Sequence, residues 1–118
     1  MRRTRQSLSS KANNIDHDQY LYLTTRGRES GRPREIEIWF IERQGRFYVI
    51  AEYDTSKWIQ NLRADPHVQV RVGNRQCPAT ARILGSGPDR ELILQVHDLS
   101  RKKYGWGDGT VVELLPTG

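Results

Sequence analysis

Cysteine, histidine and long apolar runs are scarce in this sequence, and each shortage argues against a class of function. The single cysteine, Cys77, excludes an internal disulfide and any metal site built from several cysteines. The three histidines, His17, His67 and His97, lack the spacings of metal ligands, so we expect ordinary surface residues and no metal site. No apolar run approaches the length of a membrane-spanning helix, so we expect no integral membrane segment.

The start of the chain is basic, but no apolar segment follows it, which argues against a secretion signal. We therefore expect a cytoplasmic protein. Residues 1–15 show no hydrophobic periodicity and are predicted to form a flexible basic tail. The remainder, residues 16–118, is long enough for one hydrophobic core but not for two, so we predict a single domain.

Positive charge is unevenly distributed along the chain. The 19 Lys and Arg residues against 14 Asp and Glu residues give a formal net charge of +5. Nucleic acid, an anionic cofactor or a membrane surface would each be compatible with that excess. Outside the tail it is concentrated in one short segment, which fits a small polyanionic ligand better than a long nucleic-acid track. We therefore expect no nucleic-acid partner, and keep a barrel that binds single-stranded nucleic acid as an alternative.

That segment is the basic loop region, residues 24–34, with the sequence Thr-Thr-Arg-Gly-Arg-Glu-Ser-Gly-Arg-Pro-Arg. Two glycines allow unusual backbone angles, and a proline fixes a turn. Arginine side chains and free backbone N–H groups both favour a phosphate or a carboxylate. A solvated basic hairpin is the alternative, and these residues alone favour the two interpretations equally.

Alternating apolar residues predict strands on both sides of this loop. Gln44-Gly45 indicates a hairpin turn, and apolar residues on both faces of the strands favour a closed barrel or a covered sheet. An N-cap cluster at residues 54–56 and the Ser-Gly-Pro run at residues 86–88 each predict the start of a helix. The predicted strands cover residues 20–25, 35–42, 46–53, 67–72, 76–84 and 110–115, with helices ending near Ala64 and before Gly105.

The predicted order is β-β-β-α-β-β-α-β. A doubly wound parallel fold needs regular alternation of strands and helices, so this order disfavours it. Short antiparallel strands joined by hairpins favour a small barrel with its helices against the openings. We predict a mainly β (α+β) fold, a barrel of about six antiparallel strands with two or three helices.

No catalytic constellation of side chains is evident. Cys77 lies on an apolar strand face and is more typical of a core residue than of a nucleophile. Glu35 and Glu37 share one strand face, but no neighbouring group suggests acid–base chemistry. Any catalysis would therefore be carried by a bound cofactor. The Tyr-Gly-Trp-Gly-Asp-Gly run at residues 104–109 is typical of a loop that presents a ring, and it could present that ring to a flat ligand.

Four motifs of the chain match a known family in order and spacing. They are Leu-Thr-Thr-Arg-Gly-Arg-Glu-Ser-Gly-Arg-Pro-Arg at 23–34, Ile-Trp-Phe-Ile at 38–41, Trp-Ile-Gln-Asn-Leu-Arg-Ala-Asp-Pro-His-Val at 58–68 and Ala-Thr-Ala-Arg at 79–82. With these motifs the chain resembles the deazaflavin-dependent nitroreductases and quinone reductases. The resemblance implies a split β-barrel, related to FMN-binding barrels of the pyridoxamine phosphate oxidase type. It also implies hydride transfer from the reduced deazaflavin coenzyme F-420 to a quinone, a nitro compound or an activated alkene.

The resemblance also implies where the cofactor binds. In that family the loop after the first strand binds the cofactor's phosphate and acidic tail, which carries over to Arg28, Ser30, Gly31 and Arg34. We expect Lys57 to close over the anion, and the remaining cofactor-binding residues to be Ile50, Ala51, Glu52 and Trp58. We expect the acceptor pocket to be shaped by Trp39, Tyr104 and Trp106. No catalytic side chain is assigned.

Two departures from the family pattern leave the cofactor open. Many members carry lysine where this chain has Glu29, and a carboxylate beside a phosphate is unfavourable. The segment at residues 51–57 is short where many members have a Gly- and Pro-rich insertion. FMN is therefore the alternative cofactor, and an FMN-dependent reductase or a non-catalytic flavin- or haem-binding module is the alternative function. The expected partners are a small planar electron acceptor and a second copy of the chain, since apolar residues on both strand faces permit a homodimer.

Overall fold

A computed structural model describes residues 19–117, which contain seven strands and two helices. In chain order these are β1 (Leu21–Arg26), β2 (Pro33–Ile38), β3 (Ile41–Arg43), β4 (Arg46–Ala51), α1 (Lys57–Ala64), β5 (His67–Val72), β6 (Arg75–Ile83), α2 (Arg90–Tyr104) and β7 (Thr110–Pro116). The predicted basic tail and His17 lie outside the described residues. Neither helix in the described part of the chain is long and apolar enough to cross a membrane.

One predicted strand is divided. Residues 35–42 were expected to form a single strand, but Trp39 and Phe40 separate β2 from β3. The two halves have different partners, because β2 pairs with β1 and β3 pairs with β4 through the predicted turn at Gln44-Gly45. Phe40 is buried in the barrel core, and the alternate residues before it, Ile36 and Ile38, are partly buried against the same core, so the apolar alternation continues through the break and does not reveal it.

The seven strands form one antiparallel sheet in the order β2-β1-β5-β6-β7-β4-β3. β2 and β3 are therefore the two edges of the sheet, although only Trp39 and Phe40 separate them in the chain. Three Cα–Cα steps span at most about 11 Å, so the sheet must curl until its edges approach each other. The edges do not pair within this sheet, and the result is a barrel that is split beside β2.

The interior of the barrel is a continuous apolar core. Leu21 and Leu23 of β1 are fully buried, whereas Tyr22 between them is partly exposed, which is the predicted alternation. β5 buries its three valines in the same core, also as predicted. Ile59 and Leu62 bring α1 onto this core, so the helix closes one part of the barrel.

The second helix covers the outer face of β3, β4 and β7. Val96 of α2 is fully buried in a second apolar cluster with Tyr48 and Val111. The apolar residues predicted on the second strand face are therefore covered, in part, by this helix. The cover leaves an opening beside β2, which becomes part of the candidate site.

A buried carboxylate fixes the start of α2 to the sheet. Glu113 of β7 accepts hydrogen bonds from Tyr48 Oη at 3.0 Å, Arg46 Nη1 at 3.1 Å and Arg82 Nε at 3.3 Å. Arg82 also donates to both carboxylate oxygens of Asp89, the residue before α2. Burial by itself raises the pKa of Glu113, but the hydrogen bonds from Tyr48 and Arg46 and the charge of Arg82 outweigh it and lower that pKa.

Candidate functional site

The loop between β1 and β2 is held in shape by its own hydrogen bonds. Gly27 N donates to Arg32 O at 2.8 Å, and Gly31 N donates to Gly27 O at 2.8 Å. Arg32 N donates to Ser30 Oγ at 3.1 Å. Gly31 has a φ of 73°, in the left-handed region that favours glycine. These three amides are used inside the loop, so they are not among the free backbone N–H groups that the sequence predicts for an anion.

Asn61 of α1 ties this loop to the helix. Its Oδ1 accepts a hydrogen bond from Arg28 N at 3.1 Å and lies 3.4 Å from Arg28 Nη1. Its Nδ2 donates to Thr25 Oγ1 at 3.1 Å. Asn61 and Thr25 are buried, and a buried polar group left without a partner costs about 1–3 kcal/mol. The amide therefore holds Arg28 in a fixed position relative to the helix.

Sequence reasoning did not identify Asn61 as a site residue. The sequence feature that could have indicated Asn61 is its position beside the inward-facing residues Trp58, Ile59 and Leu62 of a short helix. Asparagine is mostly exposed in proteins, so its burial at that position indicates a specific hydrogen-bonding role.

A cavity of about 740 Å³, which we call the basic pocket, lies between this loop and the start of α1. It brings together five members of the predicted cofactor-binding set, namely Arg28, Ser30, Arg34, Lys57 and Trp58. The five come from two segments that are separated by more than twenty residues in the chain. The curled sheet places the two segments on opposite sides of one pocket.

The charges of the basic pocket fit an anion. Three cationic side chains, those of Arg28, Arg34 and Lys57, line it together with two carboxylates. One of these, Glu35, is paired with Arg71 at 3.4 Å. The other is Glu29, whose negative charge would repel an anion in the pocket. Ser30 Oγ accepts a hydrogen bond from the loop backbone, so its own hydroxyl proton can be donated to an anionic oxygen.

A second cavity of about 590 Å³, which we call the aromatic cavity, lies farther along β2. Trp39 and Trp106 of the predicted acceptor pocket line it, together with Ile50 and Glu52 of the predicted cofactor-binding set. Tyr104 is not among the lining residues. It stacks against Trp39 instead, with ring centroids 4.5 Å apart and planes 3° from parallel. Tyr104 therefore supports the wall of the cavity.

The hydroxyl of Tyr104 anchors the crossover between β2 and β3. It accepts a hydrogen bond from Phe40 N at 3.0 Å and lies 2.9 Å from Phe40 O and 2.8 Å from Gln19 O. A hydroxyl has one proton, so it donates to one of these carbonyls at a time. Burial raises the pKa of Tyr104 to about 12. The hydroxyl therefore stays protonated near neutral pH and acts as a structural link.

Trp106 is held by the glycine-rich loop that follows α2. Ser100 Oγ donates to Trp106 O at 2.6 Å. A side chain at Gly107 or at Gly109 would collide with a backbone carbonyl, of α2 and of β4 respectively, so both close approaches require glycine. The Trp106 ring meets Trp39 edge to face, with centroids 6.3 Å apart. The loop thus places the second ring of the cavity against two elements of the fold.

The two cavities are lined by consecutive residues of β2. On the β2 wall, the basic pocket ends at Ile36 and the aromatic cavity begins at Glu37. On the opposite wall, Glu52 lines the aromatic cavity and Lys57 lines the basic pocket. Neighbouring strand residues are about 3.3 Å apart, so the two linings are adjacent along β2. One cavity suits an anionic group and the other suits a flat ring.

Some residues singled out in the sequence lie elsewhere. Gly31 lines a shallow concavity beside Asp65, and Ala51 is buried in the barrel core. Cys77 packs against that core, and His67 contacts Asp65 at 2.8 Å. Within residues 19–117, no group of three or more His, Cys, Asp or Glu side chains could hold a metal ion.

Comparison with protein families gives a match over most of the chain. The family model described as F420H(2)-dependent quinone reductase matches residues 1–110. Among solved structures, an F420-H2 dependent reductase, FDR-A, shares 24% identity with this chain. The similarity covers 81% of this chain and 93% of that one, with a TM-score of 0.61.

Two further solved structures have the same fold at lower identity. The haem storage protein HutZ from Vibrio cholerae is 19% identical, with coverage of 88% of this chain and 85% of that one and a TM-score of 0.73. A putative pyridoxamine 5'-phosphate oxidase from Listeria innocua is 17% identical, with coverage of 88% of both chains and a TM-score of 0.66. These similarities confirm the predicted split β-barrel of the FMN-binding type, with seven strands in place of about six.

Proposed function

Because this chain belongs to the F420H(2)-dependent quinone reductase family, which is a family of oxidoreductases, we propose that it reduces a small planar quinone with the reduced deazaflavin coenzyme F-420. Nitro compounds and activated alkenes are further acceptors of the same type. The observation that carries the proposal is a basic pocket and an aromatic cavity whose linings are adjacent along β2. The two have room for the anionic end of a cofactor and for a flat acceptor.

The basic pocket would hold the anionic end of the cofactor. Arg28, Arg34 and Lys57 supply positive charge, and the Ser30 hydroxyl supplies a neutral donor. Arg28 is fixed by Asn61, so one cation is oriented before a ligand arrives. Preorganised charge binds an anion more tightly than mobile charge does, because less side-chain freedom is lost on binding.

The aromatic cavity would hold the acceptor. Trp39, supported by Tyr104, and Trp106 give it two ring walls that suit a flat molecule. When bound, the reduced deazaflavin supplies a hydride, which is two electrons and one proton. A quinone needs one further proton to become a hydroquinone, and water can supply it because the Glu37 and Glu52 side of the cavity is exposed. The role of the chain is thus to bind and align two flat partners.

A parallel titration with coenzyme F-420 and with FMN tests the cofactor directly. Saturable binding of coenzyme F-420, followed by its fluorescence and weakened by loss of a basic-pocket cation, is the expected result. Tight binding of FMN with no binding of coenzyme F-420 would instead support an FMN-dependent reductase. The observation that favours this second candidate is Glu29, whose carboxylate lines the basic pocket and opposes a polyanionic tail.

Other features of the proposal follow from the same comparisons. A non-catalytic flavin- or haem-binding module is an alternative, since a haem storage protein has the same fold. A coloured protein that does not oxidise added reduced cofactor would support it. A homodimer is included in the proposal, because a solved structure that is 25% identical over 81% of this chain is a domain-swapped dimer. The cytoplasmic location and the absence of a nucleic-acid partner stay predictions.

A further inference from the structure

The aromatic cavity is lined by two carboxylates and, among the described residues, by no Lys, Arg or His side chain. Glu37 belongs to β2 on one wall, and Glu52 directly follows β4 on the other. Apart from Ser100, the other lining residues are aromatic or aliphatic. The cavity therefore combines apolar rings with negative charge on two sides, whereas the adjoining basic pocket carries an excess of positive charge.

We propose that the aromatic cavity selects planar acceptors that carry a positive charge and disfavours anionic ones. This inference rests on the proposed function and names its substrate class. The class consists of electron-poor aromatic cations, for example a quinone with an ammonium substituent or an N-alkylated pyridinium ring. Positive charge also makes such a ring a better hydride acceptor, so recognition and reactivity favour the same molecules.

The rings are arranged to receive a cation. One face of Trp39 is covered by the parallel ring of Tyr104, and Trp39 also lines the cavity, which leaves the opposite face of the indole for a ligand that enters beside Trp106. The negative face of an indole attracts a cation within about 6 Å more strongly than any other aromatic side chain does. Trp106 adds a second indole at a steep angle, 60° from the plane of Trp39.

The carboxylates act in the same direction. Glu52 is exposed, and Glu37 is exposed while accepting a hydrogen bond from Tyr22 Oη at 3.1 Å. Lys103 is not a lining residue, and its ammonium group donates to Phe40 O at 3.1 Å and lies 3.9 Å from the centre of the Phe40 ring. In the proposed complex the cations of the basic pocket face the anionic end of the cofactor. The two glutamates are then the charged side chains among the described residues that line the acceptor site, while Arg71 lies behind Glu37 over the Tyr22 ring.

Binding of non-reducible probes tests this preference independently of turnover. The full-length protein is titrated by calorimetry with naphthyltrimethylammonium and with neutral naphthol, which share one ring system. We expect the cation to bind roughly tenfold more tightly, the order of a cation–π contact and nearby opposite charges at a partly exposed site. Equal affinity for the cation and the neutral probe would overturn the inference.

Charge-neutral variants locate the preference. In the double variant Glu37→Gln/Glu52→Gln, the ratio of the two affinities should fall severalfold, and only the part that Trp39 and Trp106 contribute should remain. The matched control Glu42→Gln/Glu91→Gln makes the same change in net charge at two residues outside the cavity lining. The control should keep the wild-type ratio. An equal loss of preference in both double variants would show that overall charge, and not the cavity, is responsible, which would contradict the inference.

Turnover separates this inference from the proposed function. The substrates are three naphthoquinones that carry a trimethylammoniomethyl, a methyl or a sulfonate substituent, and reduced coenzyme F-420 is the hydride donor. For each quinone, the kcat/KM of a variant is divided by the kcat/KM of the wild type, which removes differences in reduction potential between the quinones. The double cavity variant should lose severalfold with the cationic quinone and gain with the sulfonate. Selective binding without oxidation of the coenzyme would preserve the inference and remove the proposed function. If the coenzyme is oxidised but the ratios of variant to wild-type kcat/KM are the same for all three quinones, the proposed function stands and the inference is overturned.

Discussion

Trp39 and Tyr104 stack with their ring centroids 4.5 Å apart, which joins the end of α2 to the crossover between the two sheet edges. The Tyr104 hydroxyl continues this contact to Phe40, the other crossover residue. The wall of the aromatic cavity is thus positioned by a residue that does not line it. Each half of this contact, the ring and the hydroxyl, can be removed separately.

Two substitutions at Tyr104 should have different effects. Tyr104→Phe keeps the stacked ring but leaves the Phe40 N–H without its partner, so it should lower the free energy of unfolding by about 1–3 kcal/mol. Tyr104→Ala also removes the ring and should cost more, about 3 kcal/mol or above. Urea unfolding measures both changes. Only the alanine variant should raise the KM for the acceptor, and an equal rise in both would show that the stack does not position Trp39.

Arg34 is predicted to contact the anionic end of the cofactor. Arg34→Ala should weaken binding of coenzyme F-420 by roughly ten- to hundredfold, the value of one hydrogen bond to a charged group. Arg32→Ala is the matched control, because Arg32 belongs to the same basic loop region but does not line the basic pocket. Fluorescence titration gives both dissociation constants. Similar losses in the two variants would indicate an unspecific effect of loop charge.

Asn61 should affect stability and cofactor binding together. Asn61→Leu removes the partners of Arg28 and Thr25, so we expect a loss of about 2–4 kcal/mol in the free energy of unfolding and weaker cofactor binding. Thr25→Val removes only the acceptor of Asn61 Nδ2 and keeps the hydrogen bond from Arg28 N to Asn61 Oδ1. It should cost about 1 kcal/mol and weaken cofactor binding less than Asn61→Leu does. A cofactor affinity that is the same in all three proteins would argue against a positioning role for Asn61.

Glu113 should make stability depend on pH in the acid range. Its pKa is lowered in the folded protein from an ordinary value of 4.5, so its stabilising contribution is complete above that value and is lost as pH falls through the lower folded pKa. Glu113→Gln should therefore be less stable than the wild type at pH 7, by about 2 kcal/mol. The difference should shrink as the pH of the urea unfolding experiment is lowered below the ordinary value. A constant difference at every pH would contradict this account.

The strands were predictable because their alternation is local. Leu21, Tyr22 and Leu23 alternate in burial as the sequence indicates, and the helix ends near Ala64 and Gly105 coincide with their sequence signals. The break at Trp39 and Phe40 was not predictable, because a chain can cross from one sheet edge to the other without changing its apolar alternation. That crossover depends on which strands pair, and pairing is a long-range property.

The site was predicted only in part for the same reason. The basic loop is recognisable from its arginines and glycines, but its link to Asn61 joins residues 33 positions apart. Similarly, the hydrogen bond from Phe40 to Tyr104 joins residues 64 positions apart, so a sequence pattern cannot distinguish a lining ring from a supporting one. The adjacency of the basic pocket and the aromatic cavity follows from the curl of the sheet and requires the structure.

The most direct test of the proposed function is anaerobic oxidation of reduced coenzyme F-420 by the full-length protein with a soluble naphthoquinone. The account predicts that the coenzyme is oxidised with one hydroquinone formed per coenzyme, and that Arg34→Ala raises the KM for the coenzyme while Arg32→Ala does not. Failure of the folded wild-type protein to oxidise the reduced coenzyme with naphthoquinone, nitroaromatic or activated-alkene acceptors would contradict it.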